Sequence, residues 1–212
     1  MTAAGAVKRD IVFLVADGGM AQVVIGFLGR ERCHQSLGCA KFSFDPRADL
    51  IVSPTKDSGM LKQARGLLMS YVVTHQRAVV IVDEDYAGTP RAPALRAGIE
   101  ASLSDLWKEL SVIVIEPELE AWIMNDNPHL AGIFRCPDNY RKLLADAGHW
   151  PESLAKPPRP KEALEYLKMK NKGRPLKADF RKLAAVMSVR QCQDPAFNQL
   201  RDQLRAWFPV TP

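Results

Sequence analysis

The sequence predicts an α/β protein with a mostly parallel four-stranded sheet flanked by helices. Two observations support this fold class. Four short apolar runs of strand length alternate with stretches whose apolar residues recur at helical spacing. Strands and helices that alternate in this way are joined by right-handed crossovers and form a parallel sheet. The 212 residues are enough for one such core and an additional lobe.

The strands are predicted from apolar runs that end at turn residues. They comprise residues 11–16, 50–52, 78–82 and 112–115. The first run ends at Asp17-Gly18-Gly19, which is typical of a turn from a strand into a helix. The helices that connect the strands are predicted at residues 20–30, from a cap at Ser58 to Tyr71, and at 94–110. Another helix begins within residues 116–122.

The pattern becomes helical beyond residue 127. Helices are predicted at residues 137–147, 160–170, 176–187 and 195–207. We therefore expect a core at residues 1–127 and a helical C-terminal extension at residues 128–212 that packs on the core. Residues 156–182 contain ten basic and three acidic side chains, a net charge of +7 in a chain whose total is +5. The positive charge is therefore concentrated in the extension.

Composition and motifs exclude several classes of protein. There is no apolar run long enough to cross a bilayer and no signal peptide at the start, so we expect a cytoplasmic protein without a membrane partner. The four cysteines form no Cys-x-x-Cys pair, so buried thiols are a better interpretation than a structural zinc site. The motifs of dinucleotide sites, P-loops and serine hydrolases are missing.

Acidic residues follow three of the four predicted strands. They are Asp17 after the first, Asp83 and Asp85 after the third, and Glu116, Glu118 and Glu120 after the fourth. Ligands bind at the carboxyl ends of parallel strands, so these side chains are expected at one edge of the sheet. Asp83 and Asp85 point the same way in extended geometry, whereas Glu84 points oppositely. Several carboxylates at one edge suit a hard cation such as Mg²⁺ or Mn²⁺.

A purely structural interpretation is available for each of these residues. Aspartate after a strand often serves a turn or a helix cap, which applies above all to Asp17. Glu118 and Glu120 could instead favour the dipole of the helix that they begin. The basic residues of the extension could form a solvated helix surface.

The same residues resemble a known family. An apolar strand, an acid-Gly turn, a helix and a second strand that ends in Asp-x-Asp resemble the Toprim domain of topoisomerases, bacterial primases and OLD-family nucleases. The segment from Glu116 to Asp126, with Glu120 and Trp122, is similar to the E-x-W-(apolar)-x-x-D segment of the Toprim-related DUF4276 family, which is often found in bacterial anti-phage defence loci. Residues 181–207 are similar to the end of that family.

The resemblance implies a metal-dependent nuclease, or a nuclease subunit, of a defence system. Asp83, Asp85, Glu116 and Glu118 would hold Mg²⁺ or Mn²⁺, and Asp17 and Glu120 would be catalytic. The phosphate backbone would be bound by Lys170, Lys172, Arg174 and Lys177. The expected partners are nucleic acid, DNA rather than RNA, and other defence-system proteins.

One position departs from the family pattern. Toprim domains usually have glutamate in the first acid-Gly turn, where this chain has the shorter Asp17. A displacement of about 1 Å can reduce a rate by about 10²-fold. Two alternatives to a nuclease therefore remain open: a catalytically inactive nucleic-acid-binding or scaffold subunit of a defence complex, and a small nucleotide-handling enzyme with the same metal site.

Overall fold

The computed structural model has the α/β fold that the sequence predicts. It describes residues 7–84, 91–125, 127–170, 177–189, 192 and 194–210. Within these residues, the strands are β1 (Arg9–Val15), β2 (Leu50–Val52), β3 (His75–Asp83) and β4 (Leu110–Ile115). They form one parallel sheet in the order β2-β1-β3-β4. The prediction of a parallel four-stranded sheet is therefore confirmed.

The described helices agree with most of the predicted ones. They are α1 (Gly18–Leu28), α2 (Cys33–Leu37), α3 (Lys56–Met69), α4 (Ala92–Leu103), α5 (Glu120–Ile123), α6 (His129–Phe134), α7 (Tyr140–Asp146), α8 (Pro160–Lys170), α9 (Lys177–Val186) and α10 (Pro195–Trp207). None of them is long and apolar enough to cross a membrane.

Several predicted boundaries differ from the structure, and three of the differences have a clear cause. The helix predicted to start at Ser58 begins at Lys56, so Ser58 lies inside α3 and does not cap it. The helix predicted to reach Leu110 ends at Leu103, and the chain turns there before β4 begins. Strand β3 is longer than its apolar run because the polar segment that starts at His75 pairs with β1 from Arg9 onward.

The C-terminal helices pack directly on the sheet and its helices. Gly26 of α1 lies so close to α9 that a Cβ atom there would clash with the Arg181 carbonyl oxygen. Helix α10 covers the outer edge of β4, where the Gln199 amide donates a hydrogen bond of 3.2 Å to the Val112 carbonyl. Buried residues on both sides of position 127 therefore belong to one hydrophobic core.

A buried aspartate joins the strands at their amino-terminal edge. Asp49, whose side chain is fully buried, accepts hydrogen bonds from the Arg9 guanidinium and from the Asp45 backbone N–H, the latter at 2.6 Å. Its Oδ1 atom also lies 3.1 Å from Nε2 of the buried His75. Burial alone would raise the pKa of Asp49, but these partners outweigh burial and lower it. The carboxylate is thus fully satisfied.

We predict that Asp49→Asn lowers the free energy of unfolding by roughly 1–3 kcal/mol, because buried partners are left unsatisfied. Urea unfolding at pH 7 measures the change. Asp105→Asn is the matched control: Asp105 pairs with Arg65 on the surface, where ion pairs contribute little to stability. Equal stability of the two variants would contradict the conclusion that Asp49 stabilises the contacts between the strands.

Candidate metal and phosphate site

Asp17 lies at the carboxyl end of β1 and caps α1. Its backbone is extended, and its Oδ1 atom accepts hydrogen bonds from the N–H groups of Gly19 and Met20 at 2.6 and 2.9 Å. A side-chain oxygen at this position satisfies N–H groups that have no partner within the helix. The capping role considered for Asp17 is therefore present, and it occupies one of the two carboxylate oxygens.

Asp83 ends β3 and has an unusual environment. Its Oδ1 atom is buried and has no hydrogen-bond partner among the described residues. Its backbone N–H donates to Oδ1 of Asp57, at 3.0 Å, in the first turn of α3. Burial, followed by the charges of the carboxylates around it, raises the pKa of Asp83 to about 9. A carboxylate in this situation favours a bound proton or a nearby cation.

The charges that act on Asp83 come from the other three connections at this edge of the sheet. They belong to Asp57, Glu120, Asp17 and Glu118, in order of decreasing effect. We call these four residues together with Asp83 the carboxylate cluster. Each of β1, β2, β3 and β4 thus leads into at least one of its members.

Glu118 and Glu120 belong to the chain that leaves β4. Glu118 is buried, and its Oε1 atom accepts a hydrogen bond of 3.0 Å from the Lys161 backbone N–H at the start of α8. Glu120 is the first residue of α5. Burial, with the charges of Glu118 and Asp17, raises the pKa of Glu120, although its own backbone N–H and Lys161 act in the opposite direction.

Asp57 belongs to the cluster, although the sequence analysis did not predict it as a site residue. Burial and the charge of Asp17 raise the pKa of Asp57, although the Asp83 backbone N–H and Lys161 lower it. A signal was present, because Asp57 follows β2 in the same way as the selected acids follow the other strands. Because Ser58 was predicted to cap α3, the helix was expected to begin after Asp57. In the structure, Asp57 lies in the first turn of α3.

Other predicted site residues lie apart from the cluster or outside the described residues. Glu116 is exposed, and its charge is not among the four that act most strongly on Asp83. Glu84 is directed toward α4, where its Oε1 atom accepts a hydrogen bond of 2.8 Å from Ala92 N–H. Asp85, Lys172 and Arg174 lie outside the described residues.

The described carboxylates do not converge on a single point. Within the residues that the structure describes, no three His, Cys, Asp or Glu side chains are arranged so that they could hold one metal ion. The carboxylate cluster is therefore defined by burial and mutual repulsion. Mg²⁺ usually takes only one or two protein carboxylates and keeps several waters, so its donor requirements are smaller than those of a structural metal.

Basic residues of the C-terminal extension reach this edge. Lys161 Nζ lies 3.6 Å from Oε2 of Glu118. Lys177 Nζ lies over the first turn of α1, so close that a Cβ atom on Gly18 would come within 2.8 Å of it. Lys170 is exposed and lies with its Nζ atom 5.5 Å from the centre of the Tyr166 ring. Lys177 and Lys170 were predicted from the sequence as phosphate contacts. Lys161 was not, because its partner Glu118 is distant in sequence.

Comparisons with protein-family models, with curated proteins and with solved structures found no match. The resemblance to Toprim-related proteins therefore rests on the residues quoted above.

We predict that Asp83→Asn raises the melting temperature of the protein in a chelating buffer at pH 7. The substitution removes a buried carboxyl group whose ionisation the fold opposes, and each kcal/mol gained raises the melting temperature by about 2–4 °C in a domain of this size. Differential scanning calorimetry measures the shift. Glu100→Gln, an exposed substitution on α4, is expected to leave the melting temperature unchanged; a lower value for Asp83→Asn would contradict the prediction.

The stability of the wild-type protein without metal should decrease as the pH rises. Asp83 has a folded pKa of about 9, above its unfolded value, so the folded state retains a proton that the unfolded state releases. Its contribution to stability is complete below about pH 4 and is lost progressively toward pH 9. The free energy of unfolding is measured with urea at several pH values between 5 and 8. Its decrease with rising pH should be smaller for Asp83→Asn than for the wild type. An equal pH dependence of the unfolding free energy in the two proteins would show that folding does not raise the pKa of Asp83.

Proposed function

We propose that this chain is a Mg²⁺- or Mn²⁺-dependent nuclease, or a nuclease subunit, that hydrolyses phosphodiester bonds of nucleic acid. The observation that carries the proposal is the buried, unpaired Oδ1 atom of Asp83 within the carboxylate cluster, next to two lysines of the basic extension. Carboxylates next to ammonium groups suit a substrate that carries phosphate, because the metal and the lysines both stabilise negative oxygen atoms.

The residues present fit a hard divalent cation. Asp83 offers an oxygen atom without a partner among the described residues, and a cation beside it would relieve the repulsion that raises its pKa. Glu118 is the second candidate ligand that the structure describes near Asp83, although both of its oxygens already face Lys161. Asp85 and Glu116 complete the set that the resemblance implies. The ion, when bound, would stabilise charge on the phosphate oxygens and activate water.

The remaining side chains have separate tasks in this proposal. Lys177 extends over the amino terminus of α1, where it would contact the phosphate backbone without reading sequence. Burial raises the pKa of Glu120, which suits the proton-transfer role that the resemblance implies for it. Asp17 holds α1 through Oδ1, which leaves Oδ2 for water or metal.

The cellular context follows from the family resemblance and the charge distribution. The +7 segment at residues 156–182 supports nucleic acid as the partner, and the resemblance favours DNA over RNA. We further propose a cytoplasmic role in bacterial anti-phage defence, together with other proteins of such a system.

A second candidate is a catalytically inactive, nucleic-acid-binding or scaffold subunit of a defence complex. The observation that favours it is the use of Asp17 Oδ1 as a helix cap, at the position where Toprim domains usually have the longer glutamate. In that case the lysines would still bind phosphate and no bond would be cleaved.

A cleavage assay distinguishes the two candidates. Labelled single- and double-stranded DNA and RNA are incubated with the protein and Mg²⁺ or Mn²⁺. We expect cleavage by the wild type, a rate reduced by about 10–100-fold or more in Asp83→Asn, and no change in Glu100→Gln. Cleavage that persists at the wild-type rate in Asp83→Asn would exclude the proposed site. Salt-sensitive binding without cleavage of any substrate would support the second candidate.

A further inference from the structure

Two exposed cations from different helices contact one buried carboxylate. Asp179 lies in the first turn of α9, and its side chain is only 2% exposed. Its Oδ1 atom lies 3.2 Å from Nζ of Lys182, which is three residues further along α9. The same Oδ1 atom lies 3.7 Å from Nη2 of Arg135, the residue that ends α6. Because both cations contact one oxygen atom, they must lie close to each other.

The packing of α6 against α9 fixes this arrangement. The rings of Phe134 in α6 and Phe180 in α9 lie 6.0 Å apart, between their centres. Phe134 directly precedes Arg135, and Phe180 directly follows Asp179. The apolar contact thus holds the cation of one helix beside the acid of the other, so the fold itself brings the charged groups together.

The backbone of Arg135 has a conformation that favours glycine. Its φ is 55° and its ψ is 36°, and its N–H donates to the Ala131 carbonyl at the end of α6. Helices commonly end on a left-handed residue, and glycine is usual there because a side chain raises the conformational energy. A non-glycine residue in such a conformation is a reason to look for a use of its side chain. Here that side chain is the guanidinium group that contacts Asp179.

The two cations face solvent, although the carboxylate between them does not. The side chains of Arg135 and Lys182 are 58% and 63% exposed. Arg181, which precedes Lys182 in α9, is exposed as well. The surface that these residues form is therefore positive. The buried carboxylate of Asp179 orients the cations without presenting its own charge to a ligand.

We propose that Arg135 and Lys182 form a phosphate-binding pair for the backbone of a nucleic acid, and that Asp179 positions them. A guanidinium and an ammonium group side by side can share the oxygens of one phosphate, to which the guanidinium offers two parallel N–H donors. This inference rests on the proposed function, because it assigns a further contact with the same nucleic acid beyond Lys177. It does not depend on a metal at the carboxylate cluster.

Fluorescence anisotropy of labelled duplex DNA in chelator measures binding by the full chain without cleavage. We expect Arg135→Gln and Lys182→Gln each to weaken binding about 5–10-fold at about 0.1 M salt, which is the contribution of one released counter-ion. Each substitution should also reduce the steepness of log affinity against log salt concentration by about 0.9, and the double variant should show about twice that reduction. The loss should be the same for different DNA sequences, because phosphate contacts do not read sequence.

Arg135→Gly separates a binding role from a structural one. Glycine adopts the left-handed conformation without strain, and Lys182 remains beside Asp179, so this variant should keep the melting temperature of the wild type. It should nevertheless bind DNA as weakly as Arg135→Gln. Arg65→Gln and Lys142→Gln are the matched controls, since each removes a cation whose carboxylate partner is exposed. Both should bind DNA as the wild type does.

The outcomes separate the inference from the proposed function. If the wild type binds DNA and the Arg135 and Lys182 variants bind it with the same affinity and salt dependence, the two cations serve only Asp179, and the inference is overturned while nucleic-acid binding stands. Weaker binding by the variants with the salt dependence of the wild type would also overturn it, because a lost phosphate contact changes that dependence. If the wild type binds neither DNA nor RNA, single- or double-stranded, nucleic-acid binding itself is overturned, and the inference with it.

Discussion

The parallel register of the strands places their carboxyl ends at one edge, and the negative charge that collects there constrains much of the structure. Val15 of β1 is aligned with Ile81 of β3, and Asp83 is aligned with Ile115 of β4. The residues that follow these strands therefore lie close together, and their carboxylates repel each other. Capping of α1 by Asp17, capping of α8 by Glu118 and the approach of Lys161 each relieve part of this repulsion. The charge on Asp83 remains without a direct partner among the described side chains.

The two edges of the sheet contain aspartates with opposite properties: Asp49 is fully buried, whereas Asp83 is partly exposed and buries its Oδ1 atom. Asp49 at the amino-terminal edge is surrounded by donors, and its pKa is lowered despite burial. Asp83 at the carboxyl-terminal edge is surrounded by acids, and its pKa is raised to about 9. The first arrangement stabilises the fold, whereas the second opposes it. Residues whose ionisation opposes folding are typical of sites at which a ligand supplies the missing charge.

The C-terminal helices position the basic residues and support the acidic ones. The backbone of α9 approaches α1 closely at Gly26, and this contact directs the start of α9 toward the turn that contains Asp17. The buried Asp194 caps α10 and accepts a hydrogen bond of 2.9 Å from the Trp122 indole N–H, which anchors α5 two residues after Glu120. The extension thus contributes to the same edge of the sheet as the α/β core.

The sequence by itself determined the parallel sheet, most of the helices and the acids at the carboxyl ends of three strands, because apolar periodicity and residue order are local properties. It missed the polar start of β3 at His75, which is strand only because β1 lies beside it. It also missed Asp57 and Lys161. The Lys161–Glu118 pair joins residues 43 positions apart, and no local pattern specifies such a contact. Only the tertiary structure decided which carboxylate is satisfied and which is not, because burial and electrostatic partners depend on segments that meet only after folding.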